Sequence, residues 1–206
     1  MLQKLKYLIL AIVALTAAGS ANAQFRYGPV LGGSITNLNF KQDIVTVKKT
    51  GGFQAGIQTE MMFPGIGFGI DFGLIYNLAG AKMNLGERLM WQSAGYGNER
   101  IMIHELTIPF HLRFKYTRLN GLEDTLAPFL YLGPDFHIQA GHSKCDAMKF
   151  SGGDVALSFG LGVEILRNWQ LSAQYSFGAT YALKAKQLTD YSARTKQWTL
   201  RVAYLF

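Results

Sequence analysis

Apolar and other side chains alternate along the last nine residues of the chain, from Trp198 to Phe206. A period of two places the alternating sets on opposite faces of a β-strand. One face is then apolar throughout, which is the pattern of a strand that meets lipid on one side and a polar interior on the other. The apolar face comprises Trp198, Leu200, Val202, Tyr204 and Phe206.

Seven earlier stretches show similar alternation, and each reaches the roughly 9 to 11 residues that a tilted strand needs to cross a bilayer. The clearest is 66–78, whereas 25–36 is Gly-rich and ambiguous in its faces. Pro128 and Pro134 weaken the prediction for the fifth stretch. Together with the terminal strand, the pattern predicts an all-β, eight-stranded antiparallel barrel. The seven stretches are about 25–36, 52–62, 66–78, 101–117, 127–139, 154–166 and 169–183.

The predicted connections alternate in length along the chain. Those at 63–65 and 167–168 are tight, and the one near 118–126 is intermediate. In outer-membrane barrels, short turns face the periplasm and long loops face outward. An even number of strands then puts both chain termini on the periplasmic side. The long connections are 37–51, 79–100, 140–153 and 184–195.

A water-soluble barrel or sandwich is the alternative for the same alternation. Such a fold would bury its apolar face inward, yet here the apolar face is the bulkier one and the other face is rich in Gly, Ser and Ala. Tyr and Trp near the predicted strand ends would form the aromatic girdles of a membrane barrel. We therefore favour the transmembrane barrel. The girdle candidates are Tyr27, Tyr76, Tyr116, Trp169, Tyr181, Trp198 and Tyr204.

The N-terminal region has the pattern of an export signal. Lys4 and Lys6 precede an apolar run over 7–18, and the small-residue site Ala21-Asn22-Ala23 follows. This order is typical of a cleaved signal peptide. A membrane anchor is the alternative, but the run is well short of the roughly 20 residues that a spanning helix needs. We therefore predict a signal peptide over 1–23 and a barrel domain over 24–206.

Composition limits the remaining classes. Charged residues are only 16% of the chain, and the single cysteine, Cys145, cannot form an internal disulfide. The net charge is +7, but an export signal and the lack of an aromatic and basic module argue against nucleic acid as a partner. Contact with lipopolysaccharide phosphates and simple solvation of loop charges both stay open. The basic residues in predicted loops are Lys48, Lys49, Lys184, Lys186, Arg194 and Lys196.

Charged residues also occur on the predicted inner face. The interior of an eight-stranded barrel is just wide enough for side chains to fill it, so these charges must pair with one another. We expect a paired network that plugs the barrel, and a proton or ion path is the alternative. The predicted inner charges are Glu60, Asp71, Glu105, His111, Arg113, Lys115, Asp135, Glu164 and Arg201.

The sequence contains no convincing catalytic or metal-binding pattern. A lipid hydrolase would need His, Ser and a carboxylate close together, but no nucleophile motif surrounds His142 and Ser143, and nothing near Cys145 indicates activation. His104 and His111 are seven residues apart, an odd offset that places them on opposite strand faces. We therefore predict no enzyme activity, no catalytic or metal site and no cofactor.

Two segments resemble a known family, the small outer-membrane β-barrel proteins of Bacteroidetes, described as porin-family or PorT-like. They are Glu105-Leu-Thr-Ile-Pro-Phe-His-Leu-Arg-Phe-Lys115 and Pro128-Phe-Leu-Tyr-Leu-Gly-Pro134. The resemblance implies an eight-stranded barrel in a Gram-negative outer membrane, usually without an assigned activity. The ending at Phe206 also resembles the signal read by the barrel assembly machinery.

These observations lead to three functional hypotheses. The first is a structural or interaction barrel in the cell envelope, whose protein partners the sequence does not name. The second is a PorT-like accessory of a protein secretion system. The third is a lipid-modifying enzyme.

Overall fold

A computed structural model describes residues 24–40, 46–63, 67–84, 98–116, 124–143, 148–185 and 192–206. The predicted signal peptide over 1–23 lies outside the described residues, as do Cys145 and Lys186. Among the residues described, no helix has the length and apolarity needed to cross a membrane.

The described residues form eight long strands and two short ones. Most of the long strands extend further than the alternating pattern alone predicted, so most connections are shorter. The predicted sixth strand keeps its length, since β7 covers Gly153–Ile165. The predicted seventh strand is shorter than expected, because β8 ends at Gly178 and pairing resumes only at Leu183. The strands are β1 (Gln24–Phe40), β2 (Thr46–Met62), β3 (Phe68–Asn84), β4 (Asn98–Lys115), β5 (Leu126–His142), β6 (Met148–Phe150), β7 (Gly153–Ile165), β8 (Trp169–Gly178), β9 (Leu183–Ala185) and β10 (Ser192–Tyr204).

The long strands close into a barrel. Each pairs antiparallel with the next long strand along the chain, and β10 pairs back with β1 from Val30 opposite Ala203 to Phe40 opposite Ala193. The short strands β6 and β9 pair with each other, and β9 also pairs with the start of β10. The prediction of an eight-stranded antiparallel up-and-down barrel is therefore confirmed.

The two ends of the barrel differ in their connections. At the end that we call the turn end, Phe63 N donates to Phe68 O over 2.8 Å, which closes the β2–β3 turn. Both ends of the described chain also lie there, since Phe206 N donates to Tyr27 O over 2.9 Å. We call the opposite end, where β1 ends and β10 begins, the loop end.

Large apolar side chains cover the outer surface of the barrel. Burying apolar area stabilises a protein in water by about 25 cal/mol per Å². A barrel that leaves this many large apolar side chains exposed would therefore be unstable in water. A surface of this kind matches lipid and excludes the soluble alternative. The outward residues include Phe25, Leu31, Ile35, Phe53, Ile57, Leu74, Phe110, Leu112, Leu132, Ile138, Phe159, Leu161, Leu171, Trp198, Leu200 and Phe206.

Outward aromatic residues form two groups at different heights. At the turn end, the rings of Trp169 and Tyr204 lie 4.9 Å apart, and Tyr204 and Phe206 lie 5.0 Å apart. Nearer the loop end, Tyr175 lies 4.8 Å from Trp198. Amphipathic rings at two levels mark the two interfaces of a bilayer.

Candidate functional site

Polar and charged side chains from every long strand face the interior of the barrel. The alternation explains this placement, because each strand turns every second residue inward. The inward polar residues that are buried include Ser34, Thr36, Thr50, Gln54, Gln58, Glu60, Asp71, Asn77, Glu105, Thr107, His111, Arg113, Lys115, Asp135, His137, Asp154, Ser158, Glu164, Gln170, Gln174, Gln197, Thr199 and Arg201.

Five charged residues meet near the turn end, and we call them the turn-end cluster: Arg26, Glu60, Arg113, Lys115 and Glu164. Lys115 Nζ donates to Glu60 Oε1 over 2.6 Å and to Glu164 Oε2 over 2.7 Å. Arg26 Nη2 contacts the same two oxygens, each at 2.5 Å. Arg113 Nη1 lies 3.1 Å from Glu60 Oε2. Glu60 therefore contacts three cations that come from two other strands.

Gln170 on β8 ties the two acids of the cluster together. Its Nε2 donates to Glu60 Oε2 over 2.6 Å and to Glu164 Oε2 over 2.8 Å. Gln58 Nε2 donates to Gln170 Oε1 over 3.4 Å. The cluster is thus bonded across the interior from β1 and β2 to β7 and β8.

Besides its contact with Glu60, Arg113 is held by Asp71 and Phe129. Its Nε and Nη2 donate to the carboxylate of Asp71 over 2.7 and 2.6 Å. Its guanidinium carbon lies 4.0 Å from the ring centroid of Phe129, a cation–π arrangement. A planar guanidinium suits this combination of a carboxylate fork and an aromatic face.

The ring of Phe129 and the ring of Tyr131 pack against glycines on β7. Phe129 stands opposite Gly162 and Tyr131 opposite Gly160 in the strand register. A Cβ at Gly160 would lie 2.2 Å from Tyr131 Cζ, so only glycine leaves room for the ring. The glycines, the rings and Arg113 therefore form successive packed layers across the interior.

A second group of contacts centres on Asp135 in the middle of the barrel. His111 Nε2 lies 2.8 Å from Asp135 Oδ1, and Gln174 Nε2 donates to Asp135 Oδ2 over 2.9 Å. The Ser158 hydroxyl also donates to Asp135 Oδ2. The His111 ring stacks on Tyr131 with 5.0 Å between centroids. Asp135 is thus fully engaged by groups from three other strands.

A third group extends toward the loop end through amide side chains. Arg201 Nε donates to Gln54 Oε1 over 2.8 Å, and Gln54 Nε2 donates to Asn77 Oδ1 over 3.1 Å. Asn77 Nδ2 donates to Glu105 Oε2 over 2.9 Å. His137 Nδ1 lies 3.7 Å from the same Glu105 oxygen. This chain joins β10, β2, β3, β4 and β5.

Asp154 departs from this pattern of pairing. It stands opposite His137 in the strand register, and only 6% of its surface is exposed. Neither of its carboxylate oxygens has a hydrogen-bond partner in the described part of the protein. Burying a carboxylate without hydrogen bonds costs free energy, so Asp154 lowers the stability of the folded protein.

All nine charged residues predicted for the inner face are buried there. The sequence missed Arg26 and Asp154. Arg26 lies in the Gly-rich stretch whose faces are ambiguous. Its position between Phe25 and Tyr27, which face outward, nevertheless indicates that it faces inward. Asp154 begins the predicted sixth strand, where alternation is hardest to judge.

The histidines and Ser143 do not form a catalytic arrangement. His104 is exposed and His111 is buried, which confirms that they face opposite sides. His142 Nδ1 lies 3.0 Å from the backbone oxygen of Ser143, whereas the Ser143 hydroxyl accepts from Met102 N over 3.1 Å. Within the described segments, no group of three His, Cys, Asp or Glu side chains could hold a metal ion.

Residues 8–206 match the family model of the outer membrane protein beta-barrel domain. The chain belongs to this family. Membership in the outer membrane protein beta-barrel domain family accounts for the apolar outer surface, because that surface lies in the outer membrane. Comparison with curated proteins gives no match.

Solved structures give similarities at low sequence identity. Ail of Yersinia pestis, crystallised with the heparin analogue sucrose octasulfate, is 13% identical over 89% of this chain and 99% of that chain, with a TM-score of 0.41. Neisserial surface protein A is 12% identical over 90% and 99%, with a TM-score of 0.45. The outer membrane enzyme PagL is 8% identical over 82% and 97%, with a TM-score of 0.43. Identities this low say nothing about activity or ligands.

Proposed function

We propose that this outer-membrane barrel has a structural or interaction role in the cell envelope, with a closed interior and no catalytic activity. The observation that carries the proposal is the turn-end cluster. Glu60 and Glu164 are bonded to cations and an amide from β1, β4 and β8.

The energetics of the cluster support a closed interior. Removing one partner of a buried ion pair costs about 3–5 kcal/mol, because the other charge is left uncompensated. A solute crossing the barrel would have to separate several such pairs at once. The cross-section is also occupied by the Phe129 and Tyr131 rings, which are both buried. A diffusion pore is therefore not part of the proposed role.

We place the turn end in the periplasm and the loop end outside the cell. Short turns at the periplasmic side are the rule in bacterial outer-membrane barrels. The strand β10, together with Leu205 and Phe206 that follow it, would contact the barrel assembly machinery during insertion. Envelope partners would then meet the loop end.

Two other roles compete with this one. The resemblance to PorT-like barrels supports a secretion accessory, but most of its motif has a structural use here: β4 turns Glu105, His111, Arg113 and Lys115 inward. A lipid-modifying enzyme is the other alternative. Deletion of the gene separates the three, because only the second role predicts a secretion defect and only the third predicts altered lipid A.

Conductance in planar lipid bilayers tests the closed interior. We expect no steady conductance from the wild-type protein and a measurable one only when the triple variant Arg26→Ala, Arg113→Ala, Lys115→Ala is combined with Phe129→Ala and Tyr131→Ala, because the two rings also fill the cross-section. Leu112→Ala, which changes an outward residue on β4, is the control and stays closed. A steady wild-type conductance would overturn the proposal.

Heat-modifiability on a gel and protease treatment of intact cells test the barrel and its orientation. We expect the boiled protein to shift in apparent mass and cleavage to occur only in the connections at the loop end. Cleavage of the β7–β8 turn in intact cells would reverse the proposed orientation.

A further inference from the structure

Three cationic side chains stand side by side on the outer surface at the loop end. Lys48 on β2 is directly opposite Lys82 on β3, and Lys82 is directly opposite Arg100 on β4. All three are exposed. We call them the cationic row.

The strands hold this row at close spacing. Adjacent strands are about 4.8 Å apart, so the three backbone positions span only roughly 10 Å. Like charges directly opposite each other on neighbouring strands destabilise a sheet. None of the three forms a salt bridge with an acid in the described part of the chain. Their repulsion is therefore a cost that an external anion would relieve.

The row lies beyond the outward aromatic residues Tyr76 and Phe53, on the loop-end side of them. On β3, the outward positions run from Tyr76 to Lys82 toward the loop end. Tyr76 Oη lies 2.5 Å from His104 Nδ1, and its ring lies 5.7 Å from Phe53. A row on the far side of interfacial rings is at the height of lipid headgroups.

Neighbouring strands extend the polar character of this surface. Arg194 and Lys196 on β10 are exposed and stand opposite Asn39 and Asn37 on β1. Five adjacent strands therefore present a cation or an amide near the loop end. These strands are β10, β1, β2, β3 and β4.

We propose that the cationic row binds the phosphate groups of lipopolysaccharide in the outer leaflet. Ammonium and guanidinium groups form strong charge-assisted hydrogen bonds to phosphate. Three of them in register can contact neighbouring phosphates at once, and the bound anion removes their mutual repulsion. The assignment rests on the proposed orientation, with the loop end outside. The sequence indicated only cations in predicted loops. The structure instead points to Lys82 and Arg100, which lie on paired strands and therefore have fixed positions beside Lys48.

Binding of purified lipopolysaccharide to the whole protein in detergent tests the assignment, with native mass spectrometry as the readout. We expect the triple variant Lys48→Gln, Lys82→Gln, Arg100→Gln to bind at least tenfold more weakly. Lys49→Gln and Arg167→Gln remove exposed cations outside the row, and both should bind like the wild type. Equal binding by the triple variant and the wild type would overturn the proposal.

Two further arms identify the anion. Dephosphorylated lipopolysaccharide should bind the wild type and the triple variant alike, and millimolar inorganic phosphate should not displace the lipid. Displacement by phosphate would make the row a site for free phosphate instead and would contradict the assignment. The detergent assay does not depend on membrane orientation, so it can fail independently of the protease test.

Thermal stability gives a second, independent readout that excludes misfolding. In detergent without lipopolysaccharide, the triple variant should unfold at the same or a higher temperature than the wild type, because repulsion is gone. Lipopolysaccharide should then raise the unfolding temperature of the wild type more than that of the variant. An equal rise in both proteins would contradict the assignment.

Discussion

Lys115 on β4 donates to Glu60 on β2 over 2.6 Å, although β3 lies between these two strands. The contact runs diagonally, because Glu60 stands opposite Asp71 on β3, and it crosses β3 where the strand has glycines. Gly69 stands opposite Arg113, and Lys115 N donates to Gly67 O. Without side chains there, the cations of β4 reach over β3 to the acid of β2.

Glu60 contacts three cations, whereas Lys115 contacts two acids that Arg26 also contacts. Replacing Glu60 should therefore cost more stability than replacing Lys115. Glu60→Gln leaves three cations, two of them buried, short of an anion, so we expect a loss of about 3–5 kcal/mol. Lys115→Met should cost less, because Arg26 still contacts Glu60 and Glu164. Urea unfolding in phospholipid vesicles, followed by tryptophan fluorescence, measures both. Leu112→Met is a control on the outer face of β4, and equal losses from the two interior variants would contradict the argument.

The glycines beneath the aromatic rings should not tolerate a methyl group. In Gly160→Ala, the new Cβ would lie 2.2 Å from Tyr131 Cζ, and the ring is stacked against His111. We expect a loss of about 1–3 kcal/mol from overpacking. Gly33→Ala is the matched control, because no atom lies within 4 Å of its Cβ position. The same unfolding assay should leave the control near wild type.

Replacing Asp154 should stabilise the protein. Its buried carboxylate lacks a hydrogen-bond partner in the described structure, so Asp154→Asn removes a buried charge without breaking a hydrogen bond. We expect a gain of about 1–3 kcal/mol in the free energy of unfolding at neutral pH. Asp71→Asn should instead lower the free energy of unfolding, because Asp71 forms an ion pair with Arg113. A loss of stability in Asp154→Asn would indicate that its charge is compensated.

The β7–β8 turn contains strain that glycine should relieve. Leu166 and Arg167 have φ angles of 53° and 64°, a region that is costly for residues with a Cβ. Leu166 is 62% exposed, so Leu166→Gly loses little packing. We expect a gain of about 0.5–1 kcal/mol from relief of this strain. Leu126→Gly, in a paired strand, should instead lose stability in the same measurement.

Much of the interior could be read from alternation alone. Alternation predicts Glu105, His111 and Lys115 inside because each directly precedes a residue of the outward apolar and aromatic face on a long, regular strand. Alternation did not predict Arg26 inside, because the nearby glycines have no side chain that would distinguish the two faces. Which acid meets which cation was not readable, since Glu60 and Glu164 are 104 positions apart along the chain and meet only through barrel closure.

The period of two, the alternating connection lengths and the apolar outer face were sufficient to determine the eight-stranded membrane barrel from the sequence. These features are local, because each strand sorts its own side chains between lipid and interior. Only the tertiary structure decided the partners of the buried charges, the packing of Phe129 and Tyr131 on β7, and the alignment of Lys48, Lys82 and Arg100. These features depend on strand register, and register is a relation between distant segments that no single stretch of sequence contains.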